Sequence, residues 1–323
     1  MTRLAALLAF SVATAPGCKR GGAGRPKDGG PETTTPAQPV RADAGSVAGR
    51  QLETAVIGDI SIRRVDPDAH KTDLKDQDLA GAIGSVLHGS KAFAADQAEV
   101  PAGRTGVPAR VAVNITWDLA DTPKGRSIVC AVEAAIEWQR GERLTPRENV
   151  LTERPLSSGD PKRAPAMVAQ MIEQSVIEAA RGLVAKEELR QGDDAAVLAE
   201  LDALDPDAVL WGLELVADRK LGAAFERALS LLKAKDAGVR AAALRALVAL
   251  KDPRAVEPLA KMANFSNPEE LKMVVEAVSA IGGDDAAEFL EYVATGHSDA
   301  DLRSRAREGL ERIGRQRRPP EPK

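Results

Sequence analysis

Apolar and polar positions in this chain follow two different periods, and the change falls near residue 190. Between residues 54 and 65 they alternate, with Val56, Ile60 and Ile62 on one side and Asp59, Ser61 and Arg63 on the other, which predicts a strand. Leu79, Ile83, Val86 and Leu87 recur at helical spacing and predict a helix over 76–88. A stronger alternation follows, placing Val111, Val113, Ile115, Trp117 and Leu119 on one face of a strand. Ile128, Cys130, Val132, Ala134, Ile136 and Trp138 repeat it. Asp121-Thr122-Pro123-Lys124-Gly125 between them has turn chemistry, so the two runs form an antiparallel hairpin with one apolar face. A long helix over 164–189 supplies Val168, Met171, Ile172, Val176, Ala179 and Leu183 to cover that face. Residues 51–190 are therefore expected to form a β-α-β-β-α domain, a small antiparallel sheet backed by helices.

In element order this half is similar to the small α/β modules of several periplasmic and outer-membrane lipoproteins, including the N-terminal domain of TolB-type proteins. Beyond about residue 191 the chain becomes rich in alanine and leucine and repeats itself. Asp236-Ala237-Gly238-Val239-Arg240 opens a helix lined by Ala243, Leu247 and Leu250, and Asp252-Pro253 breaks it before Ala255-Val256-Glu257-Pro258-Leu259. A shift of 31 residues lays Ala277, Val278, Ile281, Ala286 and Leu290 on Ala246, Leu247, Leu250, Ala255 and Leu259, with Gly282-Gly283 at the break. A further 32 residues bring Leu310 and Ile313 onto Val278 and Ile281, and a shift of 34 upstream matches Leu213 and Val216 to Leu247 and Leu250. The motif resembles the HEAT repeat family, of the short kind known from phycobilisome lyase-like proteins. That resemblance implies a short α-solenoid over 191–314, in which each helix pair buries its apolar stripe only against its neighbours. The whole chain is thus expected to be α+β, a helix-backed sheet followed by helix pairs.

The N-terminus carries a different pattern: Arg3, a hydrophobic stretch from Leu4 to Ala15, then Pro16-Gly17-Cys18. The stretch is shorter than the roughly 20 residues a membrane-spanning helix requires. Ala15-Pro16-Gly17-Cys18 resembles the lipobox of bacterial lipoproteins, although Ala15 stands where leucine is commonest. The resemblance implies that residues 1–17 are a signal peptide and that Cys18 becomes the first residue, carrying acyl chains such as palmitate. Three such chains would anchor the protein stably. The alternative is an ordinary secretory signal cut nearby. Lys19 follows the cysteine in place of an inner-membrane retention aspartate, which favours an outer-membrane lipoprotein of the bacterial cell envelope, facing the periplasm or the surface. Residues 18–50, with seven glycines and four prolines among them, read as a disordered tether, and 315–323 as a disordered tail.

Net charge is −4, and −5 after loss of Arg3, so the balance gives no reason to seek nucleic acid. Cys130 would then be the one remaining thiol, expected to fill apolar space beside Trp138. His70, His88 and His297 are dispersed and form no metal-ligand pair, and no nucleophile elbow or phosphate loop occurs. Asp66-Pro67-Asp68, Asp193-Asp194 and Asp284-Asp285 read as helix caps, and Gly81-x-x-Gly84 as a close-packing face. No catalytic residue, metal site or cofactor is expected. The combination predicts a lipid-anchored scaffold or adaptor that binds another protein through its solenoid, touching the membrane through the N-terminal lipid. The alternatives are an enzyme or enzyme subunit related to HEAT-like lyases, and a purely structural envelope lipoprotein.

Overall fold

A computed structural model describes residues 52–65, 72–123, 125–141, 143–156, 164–263 and 267–317. The expected signal peptide, Cys18, the tether, Asp66-Pro67-Asp68, His70 and residues 318–323 lie outside them. The first half runs β1 (Glu53–Val65), α1 (Asp76–Leu87), β2 (Phe93–Ala94), β3 (Thr105–Thr122), β4 (Gly125–Trp138), β5 (Arg147–Pro155) and α2 (Ala164–Gln191). The five strands lie in the order β2-β1-β3-β4-β5.

The hairpin pairs as its alternation requires, with Val111 opposite Ile136, Ile115 opposite Val132 and Trp117 opposite Cys130. These side chains are buried under Val168, Ile172, Val176 and Leu183 of α2 and Leu79, Ile83 and Leu87 of α1. The antiparallel character expected of the sheet holds for β3, β4 and β5. It does not hold for β1, which runs parallel to both β3 and β2. The physical reason is the connection: α1 lies between β1 and the rest of the sheet, and a crossover helix returns the chain parallel to the strand it left. A register shift between Ile57 and Asp59 also reverses the face of β1, so that Ala55 and Ile57 are buried while Val56 is not. Of the two glycines in α1, Gly84 alone packs closely, with Ile60 3.6 Å from where its Cβ would be.

The second half is a run of helix pairs: α3 (Asp194–Glu200), α4 (Pro206–Arg219), α5 (Phe225–Leu231), α6 (Ala237–Leu250), α7 (Val256–Met262), α8 (Pro268–Ile281), α9 (Asp284–Gly296) and α10 (Ala300–Arg317). Its periodicity is written in the caps. Asp205, Asp236 and Asn267 cap α4, α6 and α8 with their side chains, each 31 residues from the last. The helices end at Lys220, Lys251 and Gly282, again 31 apart, all with positive φ (52°, 52° and 78°). The first repeat is therefore offset by 31 residues rather than 34, and Val216 is the counterpart of Leu247. Three residues are nearly one helical turn, so both offsets keep apolar residues on one face, and only the caps separate them. The same frame puts Glu270-Leu271 at the place of Val239-Arg240. Arg303 stands where Arg240 stands: each guanidinium donates to two carbonyls of the turn before its helix, at 2.7–2.9 Å.

Leu213, Leu215, Leu247, Leu259, Val278 and Leu290 make up the centre of one continuous core through the array. α10 continues to Arg317, three residues into the expected tail.

Candidate protein-interaction site

The long helices α4, α6, α8 and α10 pack side by side, and the shorter α5, α7 and α9 pack beside them. Each short helix follows from the sequence at its start. After α6, Asp252 accepts from the Arg254 amide at 3.0 Å, Pro253 opens a 3-10 turn, and α7 begins at Val256. The Arg254 guanidinium pairs with Asp252, holding that carboxyl below its ordinary value, and lies 4.2 Å from the centre of the Phe225 ring. This clip joins α7 to α5.

Between α5 and α7 runs a groove of about 600 Å³. Leu229, Pro258 and Met262 give it apolar surface, and Glu226, Lys233 and Lys261 supply charge around it. Val256 and Leu259 point the other way, into the core, so the outward set is what remains of α7 once its core face is used. Met262 is 43% exposed, and Tyr292 on α9 is 66% exposed. A second, smaller groove of about 350 Å³ lies between the long helices α6 and α8, lined by Leu244, Val248 and the exposed Met273.

The sheet and the array meet through the end of α2. The Trp211 indole donates to the Lys186 carbonyl at 2.9 Å. Arg219 donates to the carbonyls of Leu189 and Arg190 and pairs with Asp194 at 2.9 Å, closing the last turn of α2. On the facing side Glu187 is fully buried, held by Arg190 through two bonds of 2.7 Å and by Gln191 at 2.7 Å. Arg190 also reaches Glu53 at 3.1 Å, and Arg143 reaches the same carboxylate at 2.8 Å. Both guanidiniums lie over Trp138, at 5.1 and 5.7 Å from the ring centre. Burial works against the charge on Arg190, but Glu187 and Glu53 together raise its pKa.

Other residues singled out from the sequence are dispersed. Cys130 is buried, and burial pushes its thiol up to about 11 despite a hydrogen bond with Ser175. His88 ends α1, and His297 accepts the Asp299 amide at 3.1 Å. Asp193 caps α3, and Asp284 and Asp285 lie in the first turn of α9. No group of His, Cys, Asp and Glu is arranged to hold a metal among the described residues. No described helix is long and apolar enough to cross a membrane. The groove residues Leu229, Lys233, Lys261 and Met262 went unmarked in the sequence. Pro258 was part of the repeat motif, and the structure leaves it half-buried between the buried Val256 and Leu259.

Residues 225–311 match the family model of HEAT repeats, so the array contains HEAT-like repeats. No curated protein matches the chain. Among solved structures, an engineered protein from a structural genomics consortium is 18% identical with a TM-score of 0.31, over 47% of this chain and 83% of its own.

Proposed function

We propose that this protein is an adaptor held at the bacterial cell envelope by acyl chains on Cys18, and that its HEAT-like array docks another protein. The observation that carries the reading is the α5–α7 groove, with apolar Leu229, Pro258 and Met262 beside Lys233 and Lys261. Repeat arrays of this kind present extended surfaces built from equivalent positions of successive helices. An apolar centre with a charged margin is the composition of a protein-binding patch.

A photo-crosslinking amino acid at position 262, introduced in a bacterial host, tests the docking. One discrete adduct, lost when Lys233→Glu and Lys261→Glu are added, supports it. An adduct pattern unchanged by those reversals, or no adduct, refutes it. Intact mass of the membrane fraction tests the anchor separately: a chain beginning at Cys18 with added acyl mass, absent from Cys18→Ala, is expected, and an unacylated chain in both overturns it.

A further inference from the structure

Where α2 and β5 meet α3 and α4, a cleft of about 550 Å³ opens, continuous with a second hollow of about 330 Å³ through shared Lys186, Asp207 and Trp211. Its walls are small or apolar: Gly182, Ala185, Leu189, Ala196 and Ala208. Six carboxylates line the two hollows, and two cations. One of those cations is already committed, since Lys186 pairs with Glu148 at 2.8 Å. Glu188 accepts from the Ser90 hydroxyl at 2.7 Å. The other four, Glu200, Asp205, Asp207 and Glu214, make no ion pair among the described residues. Leu204, fully exposed, adds an apolar side chain next in sequence to the cleft-lining Asp205.

We infer that this cleft docks an extended, cationic segment of a partner protein, in which lysines or arginines flank leucine-sized side chains. The cations would meet Glu200, Asp207 and Glu214, and the apolar residues would lie on Leu204 and the Leu189 wall. Coulomb attraction favours such a segment because the apolar walls focus the field of an excess of carboxylates, six against Lys186 and Arg147. Neither half of the chain forms the cleft alone, so occupancy is linked to the α2–α4 contact made by Trp211 and Arg219. The site lies apart from the α5–α7 groove, and either can fail without the other.

The test uses the full chain and a fluorescein-labelled nonapeptide of alternating lysine and leucine, followed by anisotropy. The peptide is expected to bind at least about tenfold more tightly than its glutamate-leucine counterpart, and to weaken as salt is raised. Glu200→Lys with Glu214→Lys, both partly exposed helix positions, should weaken it by about tenfold or more with an unchanged melting curve, and Leu204→Ser by several-fold. Lys233→Glu with Lys261→Glu should leave it untouched, which separates this site from the groove. Equal binding by the charge-reversed chain, equal binding of the glutamate peptide, or no binding to the wild-type chain overturns the proposal. A further variant replaces Lys19, Arg20, Arg25 and Lys27 with glutamine. If it binds the peptide about tenfold more tightly than wild type, the chain's own basic stretch is the occupant, and assignment to a partner is overturned.

Discussion

Replacing Arg190 by methionine isolates the ion cluster at the end of α2. The substitution keeps a helix-forming side chain of similar length and removes two bonds of 2.7 Å to Glu187, one of 3.1 Å to Glu53, and the cation over Trp138. Glu187 is fully buried, and Gln191 is then the one donor left to it in this cluster. Removing one partner of a buried pair costs about 3–5 kcal/mol, because the surviving charge has lost its solvation and its counter-ion. The contact with Trp138 accounts for about 0.5–2 kcal/mol of that, according to how dry it is. Urea unfolding at neutral pH, followed by helical circular dichroism, should give that loss, with a melting temperature lower by about 6–20 °C. The decisive comparison is the double variant Arg190→Met, Glu187→Met. With no charge left to bury, it should recover most of the stability lost by the single change. A single variant within about 1 kcal/mol of wild type, or a double variant no better than the single, would refute this account of the cluster.

Leu247 has no exposure at the centre of the array, so Leu247→Ala should cost about 3–5 kcal/mol and Leu247→Asp should unfold the helical half; a wild-type melt for the aspartate variant would show the repeat frame to be wrong. Arg143 first, then Arg190, hold the Glu53 carboxyl below its ordinary 4.5, against burial. A depressed folded pKa stabilises above that value and fades as pH falls through the lowered one, so the urea midpoints of Glu53→Gln and wild type should converge from about pH 7 to about pH 3. With its thiol near 11 and buried, Cys130 in a Cys18→Ala chain should ignore a disulfide reagent at about pH 8 until urea is added; rapid labelling of the native chain would contradict its burial. Lys251→Gly relieves a left-handed backbone at φ 52° and should raise stability by up to about 1 kcal/mol, read as a shift in urea midpoint.

What the sequence announces and what it hides follow from how each element is stabilised. The β3–β4 hairpin and α2 are legible because every second, or every third and fourth, residue is committed to one core. β5 is not, because in Arg147–Pro155 only Val150 is buried, and an edge strand draws its pairing from the backbone of β4 rather than from its own side chains. β2 is two residues long and leaves no periodic trace. Glu187 and Arg190 stand in a stretch, Lys186-Glu187-Glu188-Leu189-Arg190, that reads as a solvated helix face. Only the arrival of Glu53, Arg143 and Trp138 from other strands and loops turns it into a buried cluster. The α5–α7 groove is hidden for a related reason: it is a property of two successive repeats, and neither contains it alone.

The two ends of the array are unlike its middle. At one end α4 and α3 are closed off by α2, through Trp211 and Arg219, and at the other α10 covers α8 and α9, reaching Glu276 and Ser279 of α8 with Arg305 and Arg312 while turning Glu308 and Glu311 outward. A stack of helix pairs whose last apolar face stayed bare would offer each copy a template for the next, and head-to-tail growth of that kind does not close on itself. Here one template is occupied by another part of the chain, and α10 sets the exposed carboxylates Glu308 and Glu311 at the other, which disfavours head-to-tail stacking there.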